Sequence, residues 1–235
     1  MNADLVLALY CERMTNAALF SGGKDSTLAI HKAIEKGIRI DLLITMRPKR
    51  SDSYMFHYPN TKYTVMQADA LGIRHVFAET SGEKEIELGD LEKVLVENEV
   101  KLLVTGATYS RYQGDRINNM ANGLGIEHMA PLWQIDPLEE LNELAERFDA
   151  IITSVSAEGF DRSMLGARID RSMIEKLKEL NRKYRINMLF EGGEAESFVL
   201  DAPLFSKRIQ INKARVEFKN DSGTYIIEDA EMVER

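Results

Sequence analysis

The chain alternates short apolar runs with segments of helical spacing, and that rhythm predicts most of its elements. Ala17 to Phe20 runs straight into Gly22-Gly23, and Leu28 to Ile34 continues with apolar positions a helical turn apart, so the stretch reads as buried strand, tight turn, helix. Gly37 ends that helix, and Ile38 to Met46 is a second, mostly apolar strand. Asn60 is placed to cap a helix through Leu71, and Ile73 to Ala78 is the third strand. Leu88 to Asn98 reads as helix, Leu102 to Thr105 as the fourth strand, Arg111 to Leu124 as helix, and Ile126 to Met129 as a short fifth strand. Strands separated by helices at this interval imply right-handed crossovers, and hence an α/β fold with a doubly wound five-stranded parallel sheet. Ligands of such sheets bind at the carboxyl ends of the strands. Ser21, Met46 and Gly106 all fall there.

From Pro131 the rhythm changes. Asp136-Pro137-Leu138-Glu139 has a capping residue, a proline in the first turn and a glutamate three residues on, which opens a helix through Phe148. Ala150 to Val155 reads as strand, Arg171 to Lys183 as amphipathic helix, and Ile186 to Phe190 as a strand running into Glu191-Gly192-Gly193-Glu194. Lys207 to Phe218 and Thr224 to Val233 face each other across Asn220-Asp221-Ser222-Gly223, a hairpin signature. The expected organisation is a first domain over 1–130 and a smaller mixed α+β domain over 131–235. Residues 1–13 precede the first strand and carry no assigned function.

Charge and composition act mainly by exclusion. A formal net charge of -8 argues against a general nucleic-acid binder, since neutralising phosphates needs a basic surface. No apolar run approaches the length of a membrane span, and Leu5 to Tyr10 is too short for a secretory signal, so the cytoplasm is the default compartment.

The turn after the first strand carries the chemistry. The first amides of a helix lack intrahelical partners and sit at the positive end of its dipole, so a glycine turn there wraps a phosphate closely. Lys24 adds a positive charge, and the hydroxyls of Ser21, Ser26 and Thr27 add donors. The Walker A spacing is absent, because Gly22 and Gly23 are adjacent and Lys24 follows at once. The string Ser21-Gly22-Gly23-Lys24-Asp25-Ser26 instead resembles the PP-loop of ATP pyrophosphatases, in which the loop holds the β- and γ-phosphates as leaving pyrophosphate and exposes the α-phosphate to attack. The residues by themselves say only phosphate. A single cysteine, Cys11, cannot supply the cysteine pair or iron–sulfur site of sulfur-transferring members. ATP chemistry brings Mg²⁺, which Asp25 is placed to reach directly or through water.

Three further constellations stand out. Arg111 and Arg116 lie in Tyr109 to Arg116, just after the fourth strand, where guanidinium forks could bind phosphate; the plain alternative is a solvated helix start. Glu191, Glu194 and Glu196 surround Gly192 and Gly193, which makes either a solvated turn or a site for something positive. Trp133 and the tyrosines are either core or faces for a quaternary ammonium group. His57 is a general-base candidate at neutral pH with no partner visible in the sequence.

Ser21 to Ser26, Tyr54 to Asn60, Gly106 with Tyr109 to Arg116, Pro131-Leu132-Trp133 and Glu191 to Leu204 together resemble the diphthine ammonia ligase family, in the family's order, over about residues 14 to 205. One departure is that Ala195 and Ser197 stand where the family often has an aromatic and a threonine. The resemblance implies a HUP-like, adenine nucleotide alpha hydrolase-like fold. It also implies that ATP adenylates the carboxylate of diphthine on translation elongation factor two and that ammonia, supplied as ammonium, displaces AMP. It assigns Ser21, Gly22, Gly23, Lys24, Asp25 and Ser26 to pyrophosphate and Mg²⁺, Thr45 and Met46 to adenine through their backbone, and Gly106 to the α-phosphate region. Tyr109, Arg111, Gln113 and Arg116 complete the phosphate wall. Glu191, Glu194 and Glu196, with His57 and Asn60, hold diphthine or ammonia beside Trp133, Gly192 and Gly193. Lys24, Asp25, Arg116, Glu191 and Glu194 are the expected catalytic set. Two other readings stay open: adenylation of another carboxylate or a tRNA base, which the acidic charge disfavours, and a nucleotide sensor without chemistry. Assembly state is open too, a homodimer included.

Overall fold

The computed structural model describes residues 15–48, 60–80, 84–108 and 111–235. The predicted parallel sheet is present: β1 (Thr15–Leu19), β2 (Leu42–Pro48), β3 (Arg74–Thr80), β4 (Val100–Val104) and β5 (Glu127–Met129) lie in the order β3-β2-β1-β4-β5, all parallel. Helices α1 (Lys24–Glu35), α2 (Thr64–Leu71), α3 (Lys84–Glu97) and α4 (Arg111–Gly123) form the crossovers. Both faces of the sheet are covered, as its nearly continuous apolar strands require. Leu28, Ile30 and Ala68 join one core with Ala18 and Leu43, whereas Leu91, Leu95, Ile117 and Ala121 join another with Ala17, Leu42 and Leu103. The strand order reverses between β1 and β4, the switch point at which open α/β sheets bind ligands.

The remaining strands form an antiparallel sheet in the order β7-β6-β9-β8: β6 (Asp149–Val155), β7 (Ala195–Asp201), β8 (Arg208–Lys219) and β9 (Ser222–Val233). Helices α5 (Pro137–Arg147) and α6 (Arg171–Tyr184) accompany it. Asp136 caps α5 as expected, its Oδ1 accepting from the amides of Leu138 at 2.8 Å and Glu139 at 3.2 Å.

One strand was misplaced by the apolar pattern. Ile186 to Phe190 is not a strand; Ile186, Leu189 and Phe190 are apolar because they are buried, and Phe190 has a left-handed φ of 70° that no strand adopts. The strand is Ala195–Asp201, in the stretch read only as the sequel of a glycine turn.

The two sheets share packing. Phe20, Leu28 and Ala68 lie in one continuous core with Leu141, Ile152, Leu177 and Phe205. His31 fastens the same junction: it is buried, its Nδ1 donates to the Thr27 carbonyl at 2.8 Å, its Nε2 accepts from the Leu204 amide at 3.2 Å, and its ring meets Phe148 edge-on at 4.9 Å.

Candidate active site

The glycine loop lies between β1 and α1 at the switch point and is clamped by both sheets. Gly22 has a φ of 78°, and a Cβ there would stand 2.2 Å from Gln67 Oε1, so the position accepts only glycine. The Gly22 carbonyl accepts from the Val199 amide at 3.0 Å and from Gln67 Nε2 at 2.9 Å, while the same nitrogen reaches the Val199 carbonyl at 2.7 Å. Ser21 and Ser26 share a hydroxyl contact of 3.1 Å within the loop. The Thr27 hydroxyl donates back to the Gly23 carbonyl at 2.8 Å, so it braces the helix and is not an additional ligand donor. Gly23 starts α1 with no side-chain cap from its own segment; Ser197 on β7 supplies one, its Oγ accepting from the Lys24 amide at 3.0 Å. Gly106, just past β4, abuts the same turn: a Cβ there would lie 2.6 Å from the Asp25 carbonyl carbon and 2.7 Å from the Ser26 nitrogen.

Lys24 does not project into solvent. It is 1% exposed, and its ammonium donates to the Leu189 carbonyl at 2.8 Å, contacts the Asp25 carboxylate and lies 5.1 Å from the centre of the Phe190 ring. Burial pulls its pKa down, but the carboxylates of Asp25, Glu140 and Glu191 together hold it above the ordinary value. Glu140 was missed by the sequence reading. It comes from the first turn of α5, is 1% exposed, and burial followed by repulsion from Asp25 raises its pKa to about 9. The signal was there: Glu140 occupies the stripe of Leu141, Leu144 and Phe148, where an apolar residue belongs.

The glutamates around the second glycine turn divide. Glu191 accepts a hydrogen bond from the buried hydroxyl of Thr108, just beyond β4, so it joins the Lys24 cluster. Glu194 is tied to its own turn, with one oxygen accepting from the Asn187 amide at 2.7 Å and the other from the Gly192 amide at 2.8 Å. Gly192 allows that approach, because a Cβ there would be 2.8 Å from the Glu194 carboxylate, and Gly193 turns the chain with a φ of 79°. Glu196, on β7, has an enclosed oxygen with no hydrogen-bond partner among the described residues, and burial pushes its pKa up to about 8.

Other expected residues are placed as follows. The Asn60 carboxamide bonds the backbone of β9, donating to Tyr225 at 3.0 Å and accepting from Ile227 at 2.9 Å; it makes no side-chain cap to the short 3₁₀ turn Thr61–Tyr63 that precedes α2. Both polar ends of Asn60 thus pin a segment to the second sheet, which argues against its contacting a ligand. The Thr45 hydroxyl is equally occupied, donating to the Phe20 carbonyl at 2.6 Å and meeting His75 Nε2 at 2.8 Å, while Met46 is buried. Because β1 ends at Leu19, opposite Ile44, β2 runs on past the loop with β3 alone beside it. Trp133 is 36% exposed and its ring covers Gly114 of α4; Arg116, half-buried, lies on that helix. His57 and Tyr109 lie outside the described residues, as do the side chains of Arg111 and Gln113. Among the described residues no group of three or more His, Cys, Asp or Glu could hold a metal ion by itself, and no helix is long and apolar enough to cross a membrane.

The model of the diphthamide synthase N-terminal domain matches residues 14–128, and that of the diphthamide synthase C-terminal domain matches residues 136–233. The chain belongs to the diphthamide synthase family. It is similar to the human protein named diphthine–ammonia ligase, at 33% identity over 227 residues, covering 86% of this chain and 85% of that one. The cattle protein of the same name is 32% identical, with the same coverage of both chains. The fission-yeast (Schizosaccharomyces pombe) protein of that name is 30% identical over 88% of this chain, which spans 38% of that longer relative. Among solved structures, that of a predicted subunit of tRNA methyltransferase from Methanocaldococcus jannaschii aligns over 81% of this chain and 98% of its own, with a TM-score of 0.43 and 18% identity. That likeness is too distant to carry an argument.

Proposed function

We propose that the chain is an ATP-dependent ligase that amidates diphthine on translation elongation factor two, by adenylating its carboxylate and releasing pyrophosphate and then AMP. The observation that carries this reading is that both halves of one family's model match the chain in order, around a glycine loop at the switch point of the sheet. The named relatives are ligases that form a carbon–nitrogen bond, and membership places this chain among them.

The chemistry is consistent with the site. A carboxylate cannot expel oxide, so amide formation needs an activated leaving group. In the first step a carboxylate oxygen attacks the α-phosphorus, forming the acyl phosphate bond as the bond to pyrophosphate breaks. In the second, ammonia attacks the carbonyl carbon, AMP leaves, and the added nitrogen loses a proton. The amides at the start of α1, aided by the charge of Lys24, would hold the departing pyrophosphate. Gly106 lets the end of β4 lie against that turn, beside the inner phosphate. The backbone of Thr45 and Met46, where β2 outruns β1, would receive adenine. Arg116 would face the phosphates from α4. Asp25, whose side chain is 32% exposed beside the loop, fits a hard oxygen-seeking ion, and Mg²⁺ held there would offset charge on the phosphates. Glu191 and Glu196, with Trp133, would receive the trimethylammonium group or ammonium, and Glu194 would shape their turn.

The test is to incubate the protein with ATP, Mg²⁺, ammonium and elongation factor two bearing diphthine, following AMP and the factor's mass. Factor-dependent AMP and a decrease of about one mass unit, hydroxyl replaced by NH₂, is the expected result. AMP formed only with another acceptor moves the assignment to a different adenylating enzyme, and nucleotide bound without turnover makes the protein a sensor.

A further inference from the structure

We propose that Glu140 is a second carboxylate, beside Asp25, for the divalent cation that accompanies the bound oligophosphate; the inference rests on the nucleotide reading above. Glu140 is buried, and neither of its carboxylate oxygens has a hydrogen-bond donor among the described residues. A carboxyl group enclosed without a donor is costly, and leucine would be the inexpensive residue on a stripe shared with Leu141 and Leu144. The groups that act on Glu140 electrostatically are Asp25, Lys24 and Glu191. None offers it a free donor: the Lys24 ammonium is engaged by the Leu189 carbonyl and Asp25, and Glu191 accepts from Thr108. Asp25 and Glu140 therefore meet as a close carboxyl pair beside the Lys24 ammonium, and without a further cation the pair is bridged by a proton on Glu140.

A hard cation can take the place of that shared proton. Magnesium is commonly held by one or two carboxylates, with phosphate oxygens and water completing its shell. The solvent-open part of Asp25 gives an approach, and Asp25 itself lies in the first turn of the helix whose start would hold phosphate. Because nucleotide oxygens supply the remaining ligands, no self-sufficient protein cluster is needed. Glu140 comes from the second half of the chain and Asp25 from the first, so the cation would bind fully only with α5 seated against the loop.

The test uses the full chain, Mn²⁺ as a paramagnetic probe, and an ATP analogue with a methylene bridge between the α- and β-phosphates, which resists cleavage there. The parent is expected to bind Mn²⁺ in a nucleotide-dependent way, and Glu140→Gln to weaken that binding by about tenfold or more, as Asp25→Asn does, with metal-free analogue affinity kept within about twofold. Equal Mn²⁺ affinity in Glu140→Gln and parent overturns the assignment. Loss of metal-free analogue binding in Glu140→Gln overturns it too, because Glu140 is then a loop-positioning residue. A parent that binds the analogue but no Mn²⁺ removes the cation from this site, whereas a parent that binds neither removes the nucleotide reading itself.

Discussion

The Lys24 amide donates to Ser197 Oγ at 3.0 Å, so the helix that should bind phosphate is capped by a strand 173 residues further along the chain. Loss of a helix cap costs about 1 kcal/mol. Ser197→Ala is therefore expected to lower stability by about that amount, and Ser197→Thr, which keeps the hydroxyl, to retain it. Urea unfolding midpoints of the three proteins decide this; an unshifted Ser197→Ala would mean the contact contributes nothing.

Gly106→Ala places a methyl group against the backbone of Asp25 and Ser26, which cannot yield as a flexible side chain can. A destabilisation of about 1–3 kcal/mol is expected from the overpacking, with weaker nucleotide binding because the loop itself is displaced. Gly89→Ala in α3 is the contrast, since a Cβ there meets nothing among the described residues within 4 Å and should stabilise by roughly 0.5–1 kcal/mol. Calorimetric titration with ATP alongside thermal melts distinguishes the two.

Gln67→Leu removes the nitrogen that donates to both the Gly22 and Val199 carbonyls. A buried acceptor left without a donor costs about 1–3 kcal/mol, and the Val199 carbonyl is the more vulnerable, since Gly22 keeps the Val199 amide. Hydrogen exchange at the loop amides is expected to accelerate in the variant, and unchanged protection would show that Gln67 does not secure the loop.

Lys24→Ala leaves Asp25, Glu140 and Glu191 without the ammonium that they surround. Removing one partner from a buried charge group costs about 3–5 kcal/mol, so the variant should lose stability as well as AMP formation. A fully stable, inactive variant would contradict the burial of this lysine as the source of its importance.

His31 and Glu196 change stability in opposite directions as pH is varied. Burial lowers the pKa of His31 below the ordinary 6.5, so the unfolded chain takes the proton first; this contribution is complete above 6.5 and lost as pH falls through the folded value. Burial raises Glu196 from 4.5 to about 8, the opposite case, so its contribution is complete below 4.5 and lost as pH rises toward 8. Glu196→Gln is expected to exceed the parent in stability at pH 8 and to match it near pH 4.5, measured by denaturant unfolding at each pH. Nitrogen chemical shifts recorded above pH 6.5 should show a neutral His31 ring carrying its proton on Nδ1.

The amino-acid sequence by itself determined the parallel sheet and the position of its glycine loop, because both rest on local physics. Apolar runs bounded by glycine specify strands and turns, and Ser21 to Ser26 is contiguous. Only the tertiary structure decided what surrounds that loop. Ser197, Gln67, Thr108 and Glu140 arrive from other elements, and their contacts depend on how the antiparallel sheet docks. The buried Ile186 to Phe190 turn shows the same limit, since apolar residues mark burial whether or not the backbone pairs. Spacing along a chain records which side chains avoid water; which buried group faces which is settled by packing between segments far apart in sequence.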